Sequence, residues 1–170
     1  MIIAVSGTPG TGKSKASKLL AKKIKYKRLD LNRVIKKHKL YSFYDRSRKT
    51  YVADLRKVRE FVSNLVKEEP NLVIDSHISH ELKADIVIVL RCKPDVLAKR
   101  LKKKRWSRAK IEENKEAEFI GIISHEARKK HKKVWEINTT SADAQEVARK
   151  MENIFKGRGR KYTRVIDWLE

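Results

Sequence analysis

The stretch "GTPGTGKS" at residues 7–14 constrains this chain more than any other, because of what flanks it. It follows the short apolar run "IIAVS" at 2–6, and behind it Ala16, Leu19, Leu20 and Ile24 recur at helical spacing. Strand, glycine-rich turn and helix in that order make a phosphate cradle, with Gly7, Gly12, Lys13 and Ser14 at the fixed positions of Gly-x-x-x-x-Gly-Lys-Ser. The chemistry explains each residue type. Glycines let successive N–H groups turn toward one anion, and the helix start adds the positive end of its dipole. The Lys13 ammonium reaches the outer phosphates, and the Ser14 hydroxyl supplies a ligand to Mg²⁺. The expected site for ATP and Mg²⁺ comprises Gly7, Gly10, Thr11, Gly12, Lys13, Ser14 and Lys15.

The same alternation continues down the chain. "YKRLD" (26–30), "NLVID" (71–75), "DIVIVLR" (85–91) and "VWEIN" (134–138) read as further strands, and Val52, Leu55, Val58, Val62, Leu65 and Val66 keep a helical period. The pattern predicts an α/β fold of the P-loop NTPase type, a three-layer sandwich with a five-stranded parallel sheet flanked by helices. From Pro94 to Lys133 two helices are expected, the second capped near Ser107 with Lys110 to Arg128 behind it. A single domain over 1–170 suits a chain of this length. "KGRGRK" at 156–161 opens a basic tail, 156–170, in which Val165, Ile166, Trp168 and Leu169 offer a small apolar face for docking.

Composition then narrows the partners. Lys and Arg number 43 against 21 acids, a formal charge of +22, which implies nucleotides, RNA or an RNA-bound assembly. The single cysteine, Cys92, lies beside "IVIVL" and has no partner for an internal bridge, so it reads as a packed residue in a reducing compartment. No leader pattern precedes the first strand, and no apolar stretch approaches the roughly 20 residues of a membrane helix. A soluble, cytoplasmic protein with no membrane contact is expected.

Three further clusters carry chemistry. Asp75 ends a buried strand, where an acid holds Mg²⁺ or its water, so Ser14 and Asp75 form the expected metal pair. His77, two residues on, either orients an attacking water, senses the γ-phosphate or caps the next turn. Asp75, His77 and His80 lack the third nitrogen or sulfur ligand that a transition-metal site needs. Eight of the twelve residues from Lys99 to Lys110 are Lys or Arg with no acid among them, which reads as a cationic lid over about 103–113. Lys104, Arg105 and Arg108 are its candidate phosphate contacts, and Trp106 stacks on a base or anchors the hinge. The region 30–53 mixes aromatics with cations and reads as a helical acceptor-binding segment with Arg33, Lys36, Tyr41 and Tyr44 as its contacts. That composition suits an RNA-contacting loop equally well.

Together these residues resemble the adenylate kinase family, in its small nuclear and archaeal branch, also described as a ribosome-assembly ATPase of the small subunit. "GTPGTGKS" corresponds to that branch's loop, "LYSFYD" (40–45) to its Leu-Tyr-x-x-Tyr-Asp segment and "VIDSH" to its Asp-x-His motif. "IVIVLRCKPDVLAKRL" and "KRWSRAKIEENKEAEF" are similar to its fourth strand with the following helix, and to its lid with the Lys-Ile-x-Glu-Asn helix. The resemblance implies transfer of the γ-phosphate of ATP to AMP or another nucleoside monophosphate, and a slower ATPase. It further implies a small-subunit platform ribosomal protein and rRNA as partners in late small-subunit rRNA maturation. Lys13, Asp75 and His77 inherit catalytic roles, with Lys104 or Arg105 as the lid cation. Lys36 stands where relatives carry an arginine, which keeps the charge and loses the bidentate fork. A protein that is primarily an ATP-hydrolysing assembly factor, its kinase activity vestigial, is the second reading.

Overall fold

Strand β1 (Ile2–Ser6) is buried along its whole length, as a strand covered by helices on both faces must be. In the computed structural model, which describes residues 1–169, β1 lies at the centre of a parallel sheet of order β2-β5-β1-β6-β7. Its partners are β2 (Lys27–Asp30), β5 (Leu72–Asp75), β6 (Ile86–Arg91) and β7 (Trp135–Asn138), each within one residue of its sequence expectation. Alternate residues face opposite layers. Ile3 and Val5 pack with Leu20 of α1 (Lys13–Ile24) and with Val147 and Met151 of α7 (Ala144–Phe155). The other face takes Val58 and Val62 of α3 (Leu55–Glu68) beneath Leu72 and Ile74, and Ala127 of α6 (Ile122–Lys130) beneath Ala4, Val87 and Val89.

Register then sets the site. Val5 pairs with Asp75 and Ser6 with Val89, so the carboxyl ends of three adjacent strands open onto one edge. Ligands in open parallel sheets bind at such an edge.

Two helical expectations need correction. Residues 30–53 are helical only in α2 (Leu31–Lys37), and β3 (Tyr41–Asp45) and β4 (Thr50–Ala53) form an antiparallel hairpin. Tyr51 stacks against Tyr41 at 4.4 Å and Tyr44 at 4.9 Å between ring centroids, and such cross-strand aromatic pairs favour the hairpin. Val52 therefore belongs to a strand, and α3 starts later, where the Asp54 carboxylate accepts from the N–H groups of Arg56 and Lys57. The segment behind α4 (Pro94–Lys103) is not one helix but two, α5 (Arg108–Phe119) and α6. Gly121, at φ 65°, separates them, and a Cβ there would stand 3.3 Å from the buried Arg91 guanidinium. A side chain would meet both an unfavourable backbone conformation and that cation.

Cys92 is packed as expected, among Leu97, Leu101 and Ile111, and burial pushes its thiol pKa up. The tail docks, though by a different means from the one its composition suggests. Val165 and Leu169 are 61% and 77% exposed, while Ile166 and Trp168 engage buried charges. Glu170, the last residue of the predicted tail, lies outside the described residues. No helix among the described residues is long and apolar enough to cross a membrane.

Candidate active site

The chain leaves β1 through a turn that presses against β6. A Cβ at Gly7 would lie 2.5 Å from the Leu90 carbonyl oxygen, so only glycine lets the backbone pass there. Gly12, at φ 93°, is the N-cap of α1, and no side chain caps that helix. The first-turn N–H groups, which have no intrahelical acceptor, are thus left for an anion. Lys13 folds back over the turn, its ammonium donating to the carbonyls of Gly7 (2.7 Å) and Thr8 (3.0 Å). This donor set fits a triphosphate.

Burial lowers the Lys13 pKa to about 8, against the attraction of Asp75 and with the repulsion of Lys104. A nucleotide phosphate favours the charged amine, so above that value binding must take up a proton. We expect the ATP dissociation constant, measured by calorimetry, to be flat from pH 6.5 to 7.5 and to rise by up to about tenfold per pH unit above pH 8. A flat profile to pH 9.5 would remove Lys13 from the phosphate contact.

The turn forms one wall of a cleft of about 1050 Å³. Lys103, Lys104, Trp106 and Lys110 from the α4–α5 stretch, Asn32 of α2, Arg48 and Thr50 of the hairpin, and His77 line it with the loop. Arg100, Thr139, Ala142 and Val147 close the end beside the loop. Thr139 is tied to that loop by its hydroxyl, which donates to Thr11 O at 2.9 Å, and Arg100 donates to the carbonyls of Thr139 (2.7 Å) and Thr140 (3.1 Å).

The expected residues divide on this wall. Gly10, Thr11, Gly12, Lys13, Ser14, Lys15, His77 and Lys104 are brought together. Arg105 and Arg108 are exposed outside the lining, Arg105 in the left-handed turn that leaves α4. Arg33, Lys36, Tyr41 and Tyr44 also lie outside it, and the hairpin turn brings Arg48 and Thr50 instead. Asp45 fixes that turn by accepting from the Arg48 N–H at 3.0 Å. The Arg48 guanidinium meets Glu113 of α5 at 3.0 Å, and the Lys110 ammonium donates to the Arg48 carbonyl at 3.3 Å. The hairpin and α5 are therefore bridged by residues that line the cleft.

Asp75 is buried at the end of β5, where both Arg28 Nε (3.1 Å) and a terminal guanidinium nitrogen (2.8 Å) donate to one carboxylate oxygen. Burial raises its pKa despite that partner. The cleft's desolvation, with Lys13, His80 and Lys110 around it, lowers the His77 pKa to about 4. A neutral imidazole at ordinary pH accepts a hydrogen bond on one ring nitrogen. Ser76 between them donates to Asn32 at 2.8 Å, which couples the Asp-x-His turn to α2. His80 is turned away and buried, between Ser6 Oγ (2.8 Å) and Glu126 (3.0 Å).

The choice of Arg48, and the parts played by Arg100 and Thr139, were not legible in the sequence. Arg100 was one cation in a run of eight, and Arg48 one among several in its segment. Glu118 was missed outright. It is buried in α5 and accepts from the Thr8 hydroxyl of the loop at 2.6 Å, with no sequence signal to separate it from the surface acids beside it.

A parallel sheet whose central strand feeds a glycine turn and an uncapped helix defines a P-loop α/β nucleotide-binding protein. Solved structures share this architecture. Shikimate kinase from Acinetobacter baumannii superposes with a TM-score of 0.67 at 15% identity, covering 92% of this chain and 93% of that one. Deoxyadenosine kinase from M. mycoides gives 0.61 at 17%, covering 92% and 100%. A family profile described as an AAA domain matches residues 3–121. A protein named "Putative adenylate kinase" from Methanocaldococcus jannaschii is 35% identical over 170 residues, 100% of this chain and 94% of the relative. One of the same name from Methanosarcina acetivorans is 45% identical over 160 residues, 91% of this chain and 86% of the relative. The chain belongs to this archaeal adenylate kinase family.

Proposed function

We propose that this protein transfers the γ-phosphoryl group of ATP to a nucleoside monophosphate, AMP foremost, and hydrolyses ATP more slowly when water takes the acceptor's place. One observation carries the reading: the cleft that the phosphate loop lines is also lined by Arg48, Asn32 and Thr50, which we assign to the acceptor phosphate. At about 1050 Å³ it stands at the top of the roughly 300–1,000 Å³ of ordinary ligand pockets, which suits two nucleotides.

Lys13 and the loop N–H groups hold the outer phosphates of ATP, with Lys104 and Lys110 beside them. Arg100 and the Thr139–Ala142 stretch face the far end of the donor nucleotide. Transfer breaks the bond from the β,γ-bridging oxygen to the γ-phosphorus and forms one from an acceptor phosphate oxygen. These cations stabilise the charge spread over the transferred group. Ser14 and Asp75 would hold Mg²⁺, which neutralises phosphate charge, and Arg28 engages only one of the two Asp75 carboxylate oxygens. Neutral His77 accepts a hydrogen bond from a water and so orients it for hydrolysis. Arg105 and Arg108, like Arg33, Lys36, Tyr41 and Tyr44, join only through movement of the lid and the acceptor segment.

The direct test compares ADP formed from ATP with and without AMP. If AMP yields no more ADP than water alone, the kinase reading fails. Arg48→Ala should raise the KM for AMP about tenfold, the loss of one charge-assisted contact, while the KM for ATP moves less than about threefold. Equal changes in both would remove Arg48 from the acceptor site.

The net charge of +22 supports an RNA-associated setting. We place the activity in late small-subunit rRNA maturation, with rRNA and a platform ribosomal protein as partners. A small-subunit rRNA fragment should bind with an affinity that falls steeply with salt, as counterion release requires. An affinity unchanged between 50 and 200 mM salt, on the scale where phosphate contacts act, would mean that the charge serves another purpose.

A further inference from the structure

We propose that the C-terminal tail is a positioning element of the phosphate loop: Ile166 and Trp168 hold a buried charge cluster whose member Glu118 holds Thr8. The proposal rests on reading that loop as the nucleotide site.

The chain of contacts is continuous and almost wholly buried. Thr8 organises the loop, because its carbonyl accepts from the Thr11 N–H (3.2 Å), the Thr11 hydroxyl (2.8 Å) and the Lys13 ammonium (3.0 Å). Its own hydroxyl donates to Glu118 Oε2 at 2.6 Å. The other oxygen of Glu118 accepts from Arg91 Nε (2.8 Å), the Cys92 N–H (3.1 Å) and the Trp168 indole N–H (3.2 Å). One carboxylate thus joins the first turn of the loop to the last turn of the chain.

The tail grips the same cluster at two more points. The Ile166 carbonyl accepts from the Arg91 guanidinium at 3.0 Å, and the Ile166 N–H donates to Glu136 Oε2 at 3.0 Å. The Arg91 guanidinium carbon lies 5.6 Å from the centroid of the Trp168 ring. Arg91, Glu118 and Glu136 are each 2% exposed, so each bond that the half-buried tail residues supply goes to a buried charge. Val165 and Leu169 stay exposed, and apolar burial by those two residues does not explain why the tail lies there. Beside the packing of Tyr162 on the core, the tail completes the coordination of three buried charges, where a missing partner costs more than at the surface. Loop and tail compete for nothing and share Glu118, so ordering one favours the other, and the effect is reciprocal.

A double-mutant cycle tests this on the full chain. Thr8→Val removes the hydroxyl that meets Glu118, and Trp168→Phe removes the indole donor while keeping an aromatic ring. Each should weaken ATP binding by about three- to tenfold, the worth of one such bond. Acting through one carboxylate, the two together should weaken it no more than the stronger alone. If the double loss equals the product of the single losses, or if Trp168→Phe leaves ATP affinity unchanged, the proposal is overturned. Hydrogen exchange at the Ile166 amide of the unaltered chain needs no variant. ATP should slow it, and equal rates with and without ATP would also overturn the proposal. Should Lys13→Ala leave ATP binding intact, the loop reading itself has failed, a result separate from either outcome for the tail.

Discussion

Replacing Lys13 by Met removes phosphoryl transfer, lowering kcat by about 10³-fold, the scale of losing one preorganised electrostatic contact to the transition state. Methionine keeps the length and loses the charge, so the change tests the ammonium rather than the space it fills. The Lys13 ammonium donates to Gly7 and Thr8, within the turn that faces the uncapped end of α1. In the proposed function transfer to AMP and transfer to water use the same donor phosphate, so both rates should fall together. The assay is ADP release with and without AMP, and survival of either activity within tenfold of the original would overturn the phosphate site.

The second large effect concerns stability. Arg91→Met takes the cation away from two buried carboxylates: Glu118 loses the donor to its Oε1 at 2.8 Å and the one to its backbone carbonyl at 3.0 Å, and the Glu136 carboxylate loses one at 2.8 Å. Removing one partner of a buried ion pair costs about 3–5 kcal/mol, because the charge left behind stays out of water. For a chain of this size that is a fall in Tm of roughly 6–20 °C. Glu136 keeps Arg128 at 2.8 Å and the Ser124 hydroxyl at 2.5 Å, which places the loss nearer the lower figure. The surface pair Lys156–Glu152, with the lysine side chain 48% exposed, is the control, and breaking it should cost well under about 1 kcal/mol. Calorimetric melting that shows the two variants alike would mean that the buried cluster is not a source of stability.

Local patterns carried much of this architecture. β1, β5 and β6 are fully buried runs of apolar and β-branched residues with acids or glycines at their ends, so their extent could be read within a residue. The turn at Asp45–Thr50 was missed because aromatics and cations at 41–51 fit a helix face as well as a hairpin, and only the pairing of Tyr51 with Tyr41 and Tyr44 separates them. The break at Gly121 was missed because its cause, the Arg91 guanidinium, lies thirty residues away in sequence.

The sequence by itself determined the phosphate loop and the parallel sheet, because both are set by neighbours along the chain: glycine spacing, β-branched runs and the helix that follows. Only the tertiary structure decided which cations line the cleft and what holds the loop from behind. Arg48 lines the cleft and Lys36 does not, because the hairpin turn carries Arg48 to Glu113 of α5. Glu118 outranks the acids around it because α5 packs it beneath Thr8, where Arg91 and Trp168 supply its remaining bonds. Such choices depend on distances between residues far apart in the chain, and a linear pattern of residue types carries no record of them.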